Sequence, residues 1–412
     1  MCGIAGIVSL TDLETGRLSL MEKALPLLHR RGPDANGIYH APHLVLGHTR
    51  LAILDTSTSG AQPMSDPEGR FTIVFNGEFF NYREHRDELI RRGVHLQSTS
   101  DTEVILHWYK LEGAKCLERI NGFFALAIYD AEEKTLFVAR DRMGVKPLFY
   151  YYDEKQFCFA SEMKALMAMG IPKEIDRSSL ATYLQLNYIP SPHTIFKSVC
   201  KLETGHYLNI NQIGSTAEIS KVCYYELEKE IKEQPKINSY EAAKKEFRQL
   251  MTDAVNRRMI ADVPLGAFLS GGIDSSVVTG IAAKQTDRLK TFSIGFKDEP
   301  MFDETGFALS VSKKHKTEHT VFNVSNDDLF NIVFEVLDYL DEPFGDSSAL
   351  NVYLLSRETK KKVTVALSGD GADELFGGYN KHMAEWRIRN RGWIESLLIT
   401  SQPLWQWLPQ SA

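Results

Sequence analysis

Met1-Cys2-Gly3-Ile4-Ala5-Gly6-Ile7-Val8-Ser9-Leu10 opens the chain, with a cysteine directly behind the initiator methionine and directly before an alternating apolar run. Methionine is normally trimmed in front of so small a residue, which would leave Cys2 with a free α-amine beside its thiol. An α-amine titrates near ~8 and a thiol near ~8.5, so at neutral pH the amine can take the thiol proton. Nucleophile and base then share one residue. Read alone, an N-terminal cysteine is more often an accident of sequence. Its weight comes from the rest of the chain.

Working outward, residues 4–10, 44–54, 71–75 and 123–129 read as strands, and 136–139, 148–152 and 157–160 continue as a hairpin-rich meander. Helical spacing interrupts them at about 18–29, 82–92 and 101–119. Strands grouped with helices that do not alternate one for one predict stacked antiparallel sheets with helices outside, an α+β domain. A change of character follows between 209 and 238. Glu226-Leu227-Glu228-Lys229-Glu230-Ile231-Lys232-Glu233-Gln234-Pro235 is charged and closed by proline, which suits a linker or, equally, a solvated helix. Beyond it, runs at 264–269, 289–296 and 363–367 alternate with helical patterns at 276–284 and 304–315. That order predicts a doubly wound parallel sheet whose ligands sit at the carboxyl ends of the strands. The expected division is 1–208, a linker at 209–238, and 239–412.

Composition narrows the class. With 412 residues, two domains are the default, and 43% hydrophobic with 25% charged residues is ordinary for a soluble protein. The net charge of −7 argues against a nucleic-acid partner held by counterion release. Five scattered cysteines without a CxxC pair suit a reducing compartment rather than a disulfide framework. Neither a secretory signal nor an apolar run of membrane-spanning length is visible, so the expectation is a cytoplasmic enzyme without a membrane partner. The twelve histidines show no zinc-ligand spacing. Lys360-Lys361-Lys362 reads as a solvated helix end, and Phe149-Tyr150-Tyr151-Tyr152 as strand packing.

Two loops carry chemistry in the second half. Ser270-Gly271-Gly272-Ile273-Asp274-Ser275-Ser276 lies between a strand and a helix, where backbone N–H groups and the helix dipole favour an anion. It lacks the lysine of a Walker A loop, and Asp274 would repel a phosphate unless Mg²⁺ bridged them. An ordinary tight turn fits the same seven residues. Ser368-Gly369-Asp370-Gly371-Ala372-Asp373-Glu374 follows the third strand and should open on the same sheet edge. Its three acids are costly together without a cation, unless the loop is simply solvated.

Together these loops resemble those of pyrophosphate-loop ATPases, which cleave ATP between the α and β phosphates to make an adenylate. Cys2-Gly3-Ile4, Arg31-Gly32-Pro33-Asp34, Asn76-Gly77-Glu78, Ser100-Asp101-Thr102-Glu103, Arg140-Asp141-Arg142-Met143-Gly144-Val145-Lys146-Pro147-Leu148 and Ala160-Ser161-Glu162-Met163-Lys164-Ala165-Leu166 are similar to the class II glutamine amidotransferase set, in order. From residue 1 to about 380 the chain resembles the glutamine-hydrolysing asparagine synthetases. The resemblance implies an N-terminal nucleophile domain, an αββα sandwich, followed by an α/β ATP-pyrophosphatase domain. It implies that Cys2 attacks the glutamine side-chain amide with its own α-amine as base. Asn76 and the Gly77 N–H would hold the oxyanion. Arg50 and the backbone of Leu51, Ala52, Ile53 and Leu54 would bind the α-carboxylate, Asp101 the ammonium, and Glu78 would complete the pocket. Phe268, Ile294 and Gly295 match adenosine contacts. Ser270, Gly271, Gly272, Asp274, Ser275, Ser276, Ser368 and Gly369 match the ATP-binding loops. Asp274 and Asp373 would bind Mg²⁺, and Asp370 stands where an acid is linked to adenylate formation. Ammonia would pass through an internal channel to β-aspartyl-AMP, giving asparagine, AMP and pyrophosphate. Relatives often pair through the N-terminal domain, so a homodimer is an open expectation.

Two departures qualify it. Arg30 replaces the histidine of the family's His-Arg-Gly-Pro-Asp, with His29 one place earlier. The chain stops at Ala412, before a Pro-Phe-Leu-Asp segment and a lysine of the family, and Trp393, Leu397, Leu398, Leu404, Trp405, Trp407 and Leu408 crowd its tail. The expectation is a C-terminally truncated synthetase. Alternatives are a relative amidating another carboxylate and a silent regulatory protein. Asp341-Glu342-Pro343-Phe344-Gly345-Asp346-Ser347-Ser348-Ala349 looks like the synthetase version and favours aspartate; intact Cys2, Asn76 and Asp101 argue against silence.

Overall fold

The computed structural model describes residues 1–11, 16–214, 217–390 and 392–401. The chain packs as two units, Met1–Leu265 with Val324–Val365, and Gly266–Asn323 with the described residues from Ala366 onward.

In the first unit, strand alternation builds four layers. One six-stranded sheet runs Val199–Lys201, Phe149–Tyr152, Gln156–Ala160, Gly3–Ser9, Leu44–Arg50, Ala35–Ala41. The other runs Glu218–Cys223, His206–Asn211, Thr135–Arg140, Gly122–Asp130, Phe71–Phe79, Met64–Ser65. Ile4, Val8, Leu46, Val74, Ala125, Ala127 and Val138 meet in one core cluster. Their neighbours of opposite parity go elsewhere: Ala5, Ile7 and Val45 pack with Met21 and Leu166, and Ile73, Phe75, Leu126 and Phe137 with Val104 and Trp108. Because side chains alternate faces along a strand, the first cluster fills the space between the sheets. The other two lie under helices Arg17–Ala24 and Met163–Ala168 and helix Asp101–Glu112. This is the αββα sandwich.

Several boundaries differ from the sequence expectation. The strand expected over 44–54 ends at Arg50, where the chain turns through Asp55 at φ 49. The helix expected over 101–119 stops at Glu112, because Gly113 takes φ 57, and resumes only as Cys116–Arg119. The linker does not begin at 209. Tyr207 to Ile210 pair with the Leu136–Ala139 stretch, and Glu218–Cys223 pairs back on His206–Asn211, so these two strands extend the second sheet. The charged stretch after it forms helix Leu227–Glu233, with no buried residue.

In the second unit a four-stranded sheet is ordered Glu318–Val324, Lys290–Phe296, Leu265–Phe268, Val365–Leu367. Leu265–Phe268 and Lys290–Phe296 run parallel, with Phe268 opposite Phe292. Helices Ile273–Ala282 and Thr305–His315 follow these strands, as alternation predicts. The segment between, with helices Asn326–Asn331, Val333–Tyr339 and Ser348–Lys360, packs in the first unit. Sequence alone grouped it with 239–412. Trp393 and Leu397 are exposed on helix Trp393–Thr400. Leu404, Trp405, Trp407 and Leu408 lie outside the described residues. Among the described residues no helix is long and apolar enough to cross a membrane.

Candidate functional site

The candidate residues of the first unit gather at one end of the sandwich. Asn76 and Glu78 share parity with Val74, and His48 and Arg50 with Leu46, so all four point between the sheets. Cys2 sits just before Gly3–Ser9, whose Gly3 lies opposite Thr49. The Leu51 N–H reaches Cys2 Sγ at 3.4 Å, and Sγ lies 3.7 Å from the Leu51 carbonyl. Burial pushes the Cys2 thiol up, while that N–H pulls it down. The α-amine of Met1 is buried here and pushed down to about 5, so the terminus is neutral at neutral pH.

Asn76 is fully buried, yet neither its Nδ2 nor its Oδ1 has a partner. Leaving a buried amide unpaired costs about 1–3 kcal/mol per group, so any group that paired with it would be favoured there. Two residues on, Glu78 and buried Asp101 repel one another. Burial and that like charge raise Glu78 to about 8, and burial lifts Asp101 as well. Such a pair is relieved by a cation, and a substrate ammonium is one. Asp101 is further fixed by accepting the Phe79 N–H at 3.0 Å, at the start of a helix capped by Ser100.

The loop after Arg50 is braced from three sides. Asp34 takes the Ala52 N–H at 2.8 Å. Arg50 donates to the carbonyls of Ser57 (2.8 Å), Leu54 (3.4 Å) and Asp55. Asp55 takes N–H groups from Ser57 and Thr99 at 3.2 and 2.7 Å. So side-chain bonds hold the 51–57 loop in place, and three of the donors of Arg50 are spent on the loop's own carbonyls. Residues that the motif reading left without a role also enter. Arg31 donates to the Cys2 carbonyl at 2.9 Å and to Glu162 at 3.1 Å. Lys146 is buried, its ammonium lowered by burial and raised by Glu78 and Cys2. Asp141, accepting the N–H groups of Met143, Val145 and Lys146 at 3.0–3.1 Å, fixes the turn that carries it. All three lay inside quoted motifs, and that position was the signal available.

In the second unit Ser270 to Ser276 turn from the end of Leu265–Phe268 into helix Ile273–Ala282. Gly271 has φ +92, and a Cβ there would sit 2.5 Å from Phe307 Cβ and 2.6 Å from the Ala308 nitrogen, so only glycine fits. Ser270 Oγ accepts the Gly272 N–H at 3.2 Å and meets Ser275 Oγ at 3.0 Å. The second loop closes on the first. A Cβ on Gly369 would lie 3.0 Å from the Ser275 nitrogen and 3.1 Å from Asp274 Cβ. Ser368 Oγ bonds the exposed Asp370 at 3.0 Å, while Ser276 is partly buried. Asp373 lies in helix Ala372–Phe376, against Gly378. Phe268, Ile294 and Gly295 end the neighbouring parallel strands. Among the described residues no three acids, histidines or cysteines gather as a metal cage.

Comparison with known proteins matches both halves. The glutamine amidotransferase domain family matches residues 1–224, and the asparagine synthase family 246–411. The chain is 38% identical over 414 residues to "Putative asparagine synthetase (glutamine-hydrolyzing) 2" of Methanocaldococcus jannaschii, covering 94% of this chain and 77% of that protein. It is 36% identical over 382 residues to the glutamine-hydrolysing asparagine synthetase 1 of Bacillus subtilis, covering 92% of this chain and 59% of the relative. A Mycobacterium bovis relative of similar name is 36% identical over 409 residues, covering 94% of this chain and 62% of its own length. The chain thus spans about three fifths of the length of the last two relatives.

Proposed function

The chain belongs to the family of glutamine-hydrolysing asparagine synthetases, and on that premise we propose that it frees ammonia from glutamine at Cys2 and uses it, with ATP, to amidate aspartate. The observation that carries the first half is the buried, unpaired Asn76 amide on the face it shares with Glu78, at the end of the sandwich where Cys2 sits.

Glutamine would place its ammonium on Asp101 and Glu78 and its carboxylate against Arg50 and the 51–54 backbone. With Met1 removed, the α-amine of Cys2 takes the thiol proton, and the thiolate attacks the side-chain amide carbon. Negative charge then grows on the amide oxygen, where Asn76 Nδ2 and the Gly77 N–H can hold it. The nitrogen leaves as ammonia with the proton from the amine, and water hydrolyses the thioester to glutamate.

In the second unit the N–H groups of the 270–276 turn and the start of its helix would bind the pyrophosphate of ATP. Mg²⁺, held by Asp274 and Asp373 together with the phosphates, would supply charge neutralisation. The β-carboxylate of aspartate displaces pyrophosphate from the α-phosphorus, and ammonia then displaces AMP to give asparagine. Asp370, exposed on the second loop, is the acid this reading assigns to adenylate formation. A cytoplasmic setting and pairing into a homodimer belong to the same reading.

The test is amide transfer by the purified protein, with Cys2 at the N-terminus verified by mass spectrometry. Glutamine, aspartate and Mg-ATP are supplied, and glutamate, asparagine and pyrophosphate are followed together. All three in step are expected. Glutamate without asparagine would leave the amidotransferase half and overturn the aspartate half.

A further inference from the structure

Two motifs remain without a task in this mechanism, Ser161-Glu162-Met163-Lys164 and Asp341-Glu342-Pro343-Phe344-Gly345. They meet in the first unit. Ser161 pins the strand carrying Cys2: its N–H donates to the Ile4 carbonyl at 2.9 Å, and its Oγ accepts the Ile4 N–H at 3.0 Å. Glu162 accepts from Arg31 at 3.1 Å, and Arg31 in turn donates to the Cys2 carbonyl at 2.9 Å. The Met163 N–H donates to Asp341 at 2.5 Å. Lys164 pairs with both Glu162 and Asp341, each at 3.3 Å. It also donates to the carbonyls of Asp338 and Tyr339 at 3.1 and 3.3 Å, at the C-terminal end of helix Val333–Tyr339. A cation there is favoured by the helix dipole.

The side chains in this chain of contacts are largely shielded. Exposure is 10% and 16% for Arg31 and Glu162, and 27% and 10% for Lys164 and Asp341. Ion pairs so shielded hold their geometry better than surface pairs, and breaking one leaves a stranded charge. The acidic loop is docked elsewhere too. Glu342 pairs with Lys201, the Gly345 N–H donates to the Asn187 carbonyl at 2.8 Å, and Arg30 stacks over Tyr339 at 4.5 Å. Residues 338–345 belong to the stretch matched by the asparagine synthase family, whereas Cys2 belongs to the amidotransferase stretch. Asp341 and Glu342 are thus both engaged by the sandwich.

We infer that Glu162 and Lys164 are positioning residues: with Arg31 they tie the main chain of Cys2 to Asp341 of the synthetase segment, and this line of contacts, not docking of the acidic loop in general, holds the nucleophile in register. The inference rests on the assignment of Cys2 as the amidotransferase nucleophile. Loss of the tie should misplace Cys2 without altering the pocket for glutamine. Misplacement by a fraction of an ångström costs rate far more than binding.

The experiment compares Lys164→Met, Asp341→Asn, Lys164→Arg and Lys201→Met in the full chain. It reads kcat and KM for glutamine hydrolysis, the ammonia-dependent rate, and the rate of Cys2 alkylation by iodoacetamide followed by mass spectrometry. Lys164→Met and Asp341→Asn should each lower kcat about tenfold and slow alkylation, with KM and the ammonia-dependent rate within about twofold. Lys164→Arg should restore most of the loss. Lys201→Met, which breaks the docking pair not connected to Cys2, should leave kcat within about twofold. Unchanged kcat and alkylation in Lys164→Met and Asp341→Asn would overturn the inference. So would an equal loss in Lys201→Met, which would make docking in general the cause. Absence of glutamine hydrolysis in the unaltered protein would instead defeat the functional reading, while the alkylation rates would still decide the positioning role.

Discussion

The two candidate sites of this chain are built in opposite ways. Around Cys2 the polar groups are buried and cross-braced before any substrate arrives: Asn76 is fully enclosed, Asp101 is buried and bonded to the Phe79 N–H, and Asp34 and Asp55 hold the 51–57 loop. Around Ser270 the glycines fix the backbone, yet Asp274 and Asp370 are exposed. The difference follows from the ligands proposed for each. Glutamine supplies one cation and one anion, which a fixed pocket can meet with fixed charges. ATP brings a dense negative charge and its own counter-ion, so the protein need supply only N–H groups and two carboxylates. A prepared site keeps unpaired groups as its signature; a ligand-completed site keeps shape.

If that contrast is right, the largest effects come from removing what the prepared site alone provides. Cys2→Ala should abolish glutamine hydrolysis, while the ammonia-dependent rate with Mg-ATP and aspartate persists. Loss of both rates together would break the contrast. Asn76→Ala should lower glutaminase kcat by about 10²–10³, the range for an oxyanion donor, with a smaller change in KM. Its folding stability should not fall, because the amide it removes is unpaired. A large drop in melting temperature in place of a kcat effect would show that Asn76 serves packing.

For the second site the sharp probe is shape. Gly271→Ala forces a side chain into φ +92 and within 2.5 Å of Phe307 Cβ. The strain alone is about 1–2 kcal/mol, and the collision adds to it. Pyrophosphate release should fall at least tenfold, and glutamine hydrolysis measured without ATP should stay within about twofold. An equal fall in both would show that the sites are not separately built.

What could be read without the fold follows the range of the interactions concerned. Strand parity in 4–10, 71–75 and 123–129 was local, and it correctly set stacked sheets with helices outside. Cys2, Asn76 and Asp101 were legible because the motifs around them are contiguous. The strand Glu218–Cys223 was read as linker, since five of its six residues are exposed and it joins the sheet only through His206–Asn211, which itself pairs with the distant Leu136–Ala139 stretch. The end of the strand at Arg50 escaped for a related reason, as side-chain bonds to the loop carbonyls set it. Least legible was the meeting of Met163 with Asp341, 178 residues apart, where nothing local to either motif names the other. Burial then decided what each charge could do. A lysine in an exposed turn would be solvated, whereas Lys146 is enclosed near Glu78.

The smallest effect tests whether the prepared site stores strain. Glu78 ordinarily titrates at 4.5, and burial beside Asp101 raises it to about 8. As pH rises above 4.5 the unfolded chain gives up this proton while the folded chain keeps it. The contribution of Glu78 to stability therefore falls between pH 4.5 and about 8 and levels off above. Glu78→Gln removes that fall. The variant should match the parent near pH 4 and exceed it at pH 8 by on the order of 1–3 kcal/mol in urea unfolding, reduced because Lys146 loses a favourable neighbour. Added glutamine should narrow the gap, since its ammonium would offset the two carboxylates in the parent and find only one in the variant. A pH-independent difference would mean that Glu78 is not strained by burial, and the unpaired Asn76 amide would then be the sole sign that this site is prepared in advance.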